Sequence, residues 1–293
     1  MRVKNNPLPR LAASILIWAT ATFTSADPII SKPTSVDGAI SYTIESEYQN
    51  GPNRLDILLP VKMESGRKYP VIYVLPVAKG PDEDRKLWGY GLAAMRGENL
   101  LGKPPQNLAD KFGVICVFPV FDTTPWYGDN LSNPKIRHES YLMKVVLPFV
   151  ERTFPVIAEP RGRLLLGFSK SGWGAVSLLL RHPDVFGRAA AFDAPLMAQW
   201  PGAWGIAEQF GTKESFEPYY IPALLEKQAP NFKGSSRLIL IGYGNFRDHM
   251  ERADALMKKL DIPHEYRDGP KRRHHWYSGW VPEAVESLMK DAR

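Results

Sequence analysis

The chain has 293 residues, 44% hydrophobic and 23% charged, with 37 Lys and Arg against 31 Asp and Glu and a formal net charge of +6. That balance belongs to a folded globular protein, because a disordered chain cannot bury enough apolar surface to offset its ordering entropy. The 23 glycines follow no period of three, which excludes a collagen-like repeat, and the single cysteine, Cys116, excludes an intrachain disulfide and any cysteine-cluster metal site.

Arg2, Lys4 and Arg10 precede an apolar stretch over residues 11–23, followed by Thr24-Ser25-Ala26. A positive start, a short apolar core and small residues before a cut are the three parts of a secretory signal peptide. At 13 residues the apolar run is short for a helix that spans a bilayer. Residues 1–26 are therefore read as a signal peptide and 27–293 as one domain, with an uncleaved N-terminal anchor as the alternative. Cleavage after Ala26 removes three positive charges and leaves +3, too little to suggest nucleic acid as a partner. The expectation is a secreted or periplasmic protein with no membrane attachment after cleavage.

Alternating strands are expected over 40–48 and 54–59. Nearly continuous apolar runs follow at 69–75 (YPVIYVL), 114–120 (VICVFPV), 163–168, 188–192 and 237–241, with a weaker one at 264–267. Such runs suit strands buried on both faces. Between them, Leu142, Val145, Val146 and Phe149 share one helical face within 139–152, as do Ala253, Leu256 and Leu260 within 248–260. Strands alternating with helices imply parallel crossovers and a central sheet covered on both faces. Residues 199–233 break the alternation with Trp200, Trp204, Phe210, Phe216, Tyr219, Tyr220 and Phe232 among Gly and Pro. The stretch reads either as a lid or pocket wall or as a structural excursion over its own aromatics.

The strand expected over 163–168 runs into Gly167-Phe168-Ser169-Lys170-Ser171 and straight on into a helical pattern over 175–181. In that strand–turn–helix context Gly-x-Ser-x-small reads as a nucleophile elbow, with Ser169 raised on a strained turn. Strand and helix backbones meet closely there, so small neighbours are needed. Ser171 stands where glycine is usual, with Gly172 and Gly174 just beyond. Adjacent side chains diverge, so Lys170 is expected to serve through its backbone N–H, as an oxyanion donor.

Six histidines compete for the base. His182 suits a helix end, His264 a strand and His138 a helix start. His274 and His275 follow the last expected strand, where the chain order Ser…Asp…His puts the base of a serine hydrolase. His274 is preferred, with His275 as the alternative. For the acid, Asp248 follows the strand at 237–241 and has helix N-capping as its ordinary job. Asp193 follows the strand at 188–192 and is the second candidate, with a turn role as its ordinary job. Asn245 lies closest to the end of the later strand and carries no charge. No metal-ligand spacing occurs, and the chemistry needs no cofactor. Trp126, Tyr127, Trp173, Trp276 and Trp280 fall in segments expected near the mouth, as a sugar or aromatic subsite or as ordinary core.

From residue 69 to the C-terminus the chain resembles the esterase D-like family of α/β-hydrolases. The motifs are YPVIYVLP at 69–76, PWYGDN at 125–130, HESYLMKVVLPFVERTFP at 138–155, GFSKSGWGA at 167–175 and HHWYSGW at 274–280. The resemblance implies an α/β-hydrolase fold, a mostly parallel sheet with helices on both faces and the aromatic-rich insertion after the strand that follows the nucleophile. It also implies a serine carboxylic-ester hydrolase acting on a small-molecule or carbohydrate ester. A peptidase or acyltransferase on the same scaffold, or a catalytically silent binding module, is the alternative. Two departures stand out. The family usually carries His-Gly after the third core strand, whereas Pro76-Val77 stands here, and Pro76 has no N–H to donate. The second oxyanion donor then falls to the amide of Val77 or Ala78. The family's acid aligns near Asn245, which keeps Asp193 in play, while His274 matches its His-x-Trp.

Overall fold

The computed structural model describes residues 27–79 and 91–292, so the expected signal peptide lies outside the described residues. Among the described residues ten strands build one sheet: β1 (Ile29–Ile30), β2 (Thr34–Val36), β3 (Ala39–Glu45), β4 (Pro52–Leu58), β5 (Val71–Leu75), β6 (Ile115–Pro119), β7 (Arg163–Phe168), β8 (Arg188–Phe192), β9 (Leu238–Tyr243) and β10 (His264–Lys271). They lie in the order β1-β3-β4-β6-β5-β7-β8-β9-β10, with β2 paired to β3. From β6 to β10 every pairing is parallel, while the strands up to β4 join antiparallel. This is the α/β-hydrolase fold.

The apolar runs became strands because both faces of the pleat are covered. In β5, Val71, Tyr73 and Leu75 enter one apolar layer while Ile72 and Val74 enter the other. Strand β7 divides the same way, Leu165 to one side and Leu164, Leu166 and Phe168 to the opposite one. The first layer is closed by helices Lys170–Arg181 and Arg247–Lys259, the second by Leu92–Met95, Leu108–Phe112 and Val281–Leu288.

The expected helix over 139–152 forms in three pieces, His138–Tyr141, a π-helical turn Leu142–Val146, and Leu147–Thr153. Pro148 sits just after the wide turn and has no N–H for the helical ladder. Strand β10 runs on to Lys271, past the expected end at 267, with a register shift between Arg267 and Lys271. Within 199–233 the chain folds into the short helices Ile206–Phe210, Lys213–Phe216 and Ile221–Gln228. Phe210, Phe216 and Phe232 are buried beneath it, the first two against Trp173, while Trp204 is 54% exposed. No helix among the described residues is long and apolar enough to cross a membrane.

Candidate active site

Ser169 joins β7 to the helix Lys170–Arg181 with φ 54° and ψ −128°, a conformation that side-chain-bearing residues rarely adopt. Such backbone strain costs on the order of 1–3 kcal/mol and persists only where the surroundings enforce it. Here they do. The Ser169 N–H donates to Phe192 O across to β8 at 3.2 Å, and its carbonyl accepts from the N–H groups of Gly172 and Trp173. A Cβ at Gly167 would stand 2.0 Å from Ser171 O, and one at Gly172 would stand 2.7 Å from the Ala194 methyl. Ser171 is tolerated where glycine is usual because its hydroxyl is tied back to the strand, accepting from Phe168 N at 2.9 Å and donating to Phe168 O at 2.8 Å.

His274 reaches this turn from the loop after β10. Its Nε2 lies 3.1 Å from Ser169 Oγ, and its Nδ1 lies 2.5 Å from Oδ2 of Asp193. A carboxylate offers no proton, so Nδ1 carries the hydrogen and Nε2 is left as the acceptor facing the serine. Asp193, which follows β8, is completely buried and also accepts from the N–H groups of Asn245 and Phe246, at 2.9 and 2.8 Å. Burial alone would push its carboxyl up, but the bonds from His274 and the backbone amides outweigh that and hold it below the usual carboxylate range. Gly244 makes room for the pair, since a Cβ there would stand 2.5 Å from Asp193 Oδ2.

Asp248 is not at this site. Its side chain is 74% exposed and paired with Arg252, one turn along the helix Arg247–Lys259. The chain order favoured it, but β9 ends at Tyr243, and Asn245 two residues on supplies a backbone N–H to Asp193 instead of a carboxylate to His274. His275 serves as a cap, its Nδ1 accepting from Tyr277 N at 3.1 Å. The other histidines are engaged elsewhere: His138 with Thr123, His182 with Glu139, His264 with Asp254, and His249 with the N–H of Met197.

The amide of Lys170 opens the helix behind Ser169, where N–H groups lack intrahelical partners and the dipole favours negative charge. Burial also pushes the Lys170 ammonium down to about 8. The Val77 and Ala78 amides follow β5, the neighbour of β7, and neither is engaged by the backbone of other described residues. Tyr127 donates from its hydroxyl to Pro76 O at 2.5 Å. Carbonyl and N–H of one planar trans peptide point to opposite sides, so this bond sets the direction of the Val77 N–H.

The expected aromatic mouth is corrected by the structure. Trp126, Tyr127, Trp173 and Trp276 are at most 1% exposed and belong to the core. Trp126 packs edge-on against Trp173 and donates from Nε1 to Trp204 O at 3.0 Å, which anchors the 199–233 segment. Trp276 lies against Phe168 and Phe192, the residues just before Ser169 and Asp193, and so supports both strand ends. The accessible aromatics are ones the sequence did not single out for the site. Trp204 packs edge-on against Phe246, whose ring in turn meets His274 at 5.4 Å. The aromatic richness of 199–233 was the only hint of Trp204. Among the described residues no group of three or more His, Cys, Asp and Glu could hold a metal ion.

A serine at φ 54° between a parallel strand and a helix, with a histidine and a buried carboxylate in line, defines a member of the serine-hydrolase class of α/β-hydrolases. Residues 122–287 match the family described as "Putative esterase", and the chain belongs to that family. It is 29% identical over 146 residues to Esterase MT1326 of Mycobacterium tuberculosis (strain CDC 1551 / Oshkosh), a match that spans 48% of this chain and 29% of that relative's length. In fold it is similar to an S-formylglutathione hydrolase from Agrobacterium tumefaciens, with a TM-score of 0.66, 16% identity, and coverage of 92% of this chain and 100% of that one. A ferulic acid esterase gives a TM-score of 0.66 at 18% identity, covering 91% and 98% of the two chains.

Proposed function

We propose that the protein is a serine carboxylic-ester hydrolase working through an acyl-enzyme, with Ser169 as nucleophile, His274 as base and Asp193 as acid. The observation that carries this reading is the line of contacts from Ser169 Oγ through the His274 ring to buried Asp193. As Ser169 Oγ attacks the ester carbonyl, its proton passes to His274 Nε2, and Asp193 stabilises the imidazolium. The amides of Lys170 and of Val77 or Ala78 meet the oxyanion; losing one such donor typically costs about 10²–10³ in rate. The imidazolium then gives its proton to the leaving alcohol. Water, deprotonated by His274, cleaves the acyl-serine and restores the hydroxyl.

The reading extends to esters with a sugar or aromatic face, such as acylated carbohydrate, supported by exposed Trp204 on Phe246 beside His274 and by the fold shared with a ferulic acid esterase. Export is part of the proposal and rests on the composition of residues 1–26; a secreted product whose mass starts at Asp27 is its expected mark. Hydrolysis of p-nitrophenyl acetate and labelling by a fluorophosphonate are expected, and Ser169→Ala should abolish both. Absence of turnover and labelling in the wild-type protein would sink the reading, and peptides cleaved faster than esters would favour the peptidase alternative.

A further inference from the structure

A cleft of about 650 Å³ opens beside His274, bordered by Gly244 and Asn245 after β9, by Lys271, Arg272 and Arg273, and by Leu100 and Leu101. Three consecutive cations thus share one wall with the base, and among the described residues no Asp or Glu lines the space. Arg272 is held at 2.7 Å by Glu283 and lies over the Trp280 ring, while its Nη1 is buried with no hydrogen-bond partner among the described residues. The acids nearest in sequence are already committed, Asp268 to Arg247 and Glu283 to Arg272 and Arg267. Lys271 and Arg273 are exposed, and their charges stand uncompensated among the described residues. Leu100 and Leu101, about half exposed at 51% and 47%, add an apolar surface to its lining.

We propose that this cleft receives the alcohol part of the ester and selects alcohols that join an apolar body to an anionic group, a carboxylate or a phosphate. The inference rests on the hydrolase reading for its direction. His274 must deliver a proton to the leaving oxygen, so the alcohol departs on the histidine's side, where the cations are. An anion there meets Lys271 and Arg273, while the apolar body covers the two leucines. Exposed charges act mainly by steering and by modest pairing, so the expected gain is about tenfold in kcat/KM and depends on salt.

The test compares meta-acetoxybenzoate with its neutral counterpart meta-acetoxybenzamide, each rate divided by that of uncatalysed hydrolysis. The wild-type protein should prefer the anionic ester about tenfold at low salt, less at high salt, and the ratio should fall to about one in the double variant Lys271→Glu, Arg273→Glu. Equal turnover of both esters by wild type, or a preference that survives in the double variant, overturns the cleft proposal and leaves the hydrolase reading standing. Turnover of neither ester strikes at the hydrolase reading instead. The cleft is then decided by calorimetry with the two alcohols, meta-hydroxybenzoate and meta-hydroxybenzamide. Tighter binding of the anion, lost in the double variant, upholds it; equal binding, or none, overturns it.

Discussion

Asp193 combines a positive φ of 44°, complete burial and N–H donors from Asn245, Phe246 and His274. Those donors keep it ionised, and an ionised acceptor is what forces His274 to carry its hydrogen on Nδ1. Asp193→Asn should preserve the shape and lower kcat by about 10³–10⁴, because an amide no longer imposes the tautomer. Asp248→Asn should leave kcat near the wild-type value, since that carboxylate is 74% exposed and paired with Arg252, away from His274. The stability linked to a depressed carboxyl is present above its unfolded pKa and lost as pH falls through the folded one. Acid unfolding of the Asn variant should therefore be shallower than that of wild type on the low-pH side. The serine and histidine were legible in the sequence because a strand–turn–helix motif and a position after the last strand are local facts. The acid was not. Chain order ranks Asp248 ahead of Asp193, and only the sheet's geometry shows that the end of β8, not the helix after β9, brings a carboxylate to His274.

At the scale of elements, Tyr127 joins three pieces of the fold. Its backbone has φ 52°, its carbonyl accepts from Arg181 Nη2 at 2.8 Å, and its ring fills the space that a Cβ at Gly174 would need, 2.1 Å away. The hydroxyl then closes on Pro76, at the end of β5. Burial pushes the phenol pKa well up, so the group stays a donor across the working range. The loop carrying Tyr127 is thereby locked between the helix behind Ser169 and the peptide that presents the Val77 N–H. Tyr127→Phe should lose about 1–3 kcal/mol of stability by leaving the Pro76 carbonyl unpaired in the interior. If the bond also aims the oxyanion donor, kcat for p-nitrophenyl acetate falls by up to about 10² with KM little changed. A purely structural role would lower the unfolding midpoint and leave kcat of the folded fraction alone, so the two parameters measured together decide it. The sequence left Tyr127 open between a subsite and the core, because aromatic residues near a site suit a sugar face equally well. What it could not show was that Gly174 leaves a hole into which this ring fits.

Across the whole molecule, the parallel half of the sheet was legible because strands buried on both faces read as unbroken apolar runs, and β7 and β8 have the expected bounds. Strands β1 and β2 escaped notice since they are short and largely exposed, so no burial pattern marks them. Global stability carries a further trace of the site, through Lys170. This lysine extends from the first turn of the helix behind Ser169, and burial lowers its pKa from 10.5 to about 8. Between those values the unfolded chain holds more protons than the folded one, so stability rises with pH across the interval. Below about 8 both states are protonated and the cost of desolvating the ammonium is fully present. Lys170→Met removes that cost while keeping an unbranched side chain and the backbone N–H proposed as an oxyanion donor. The variant should therefore be more stable than wild type at neutral pH, and the two should converge as pH climbs from about 8 toward 10.5. Urea unfolding of both proteins along that pH series measures it. A variant less stable at neutral pH, or curves that run parallel throughout, would mean that the lysine stem contributes more by packing than its charge costs.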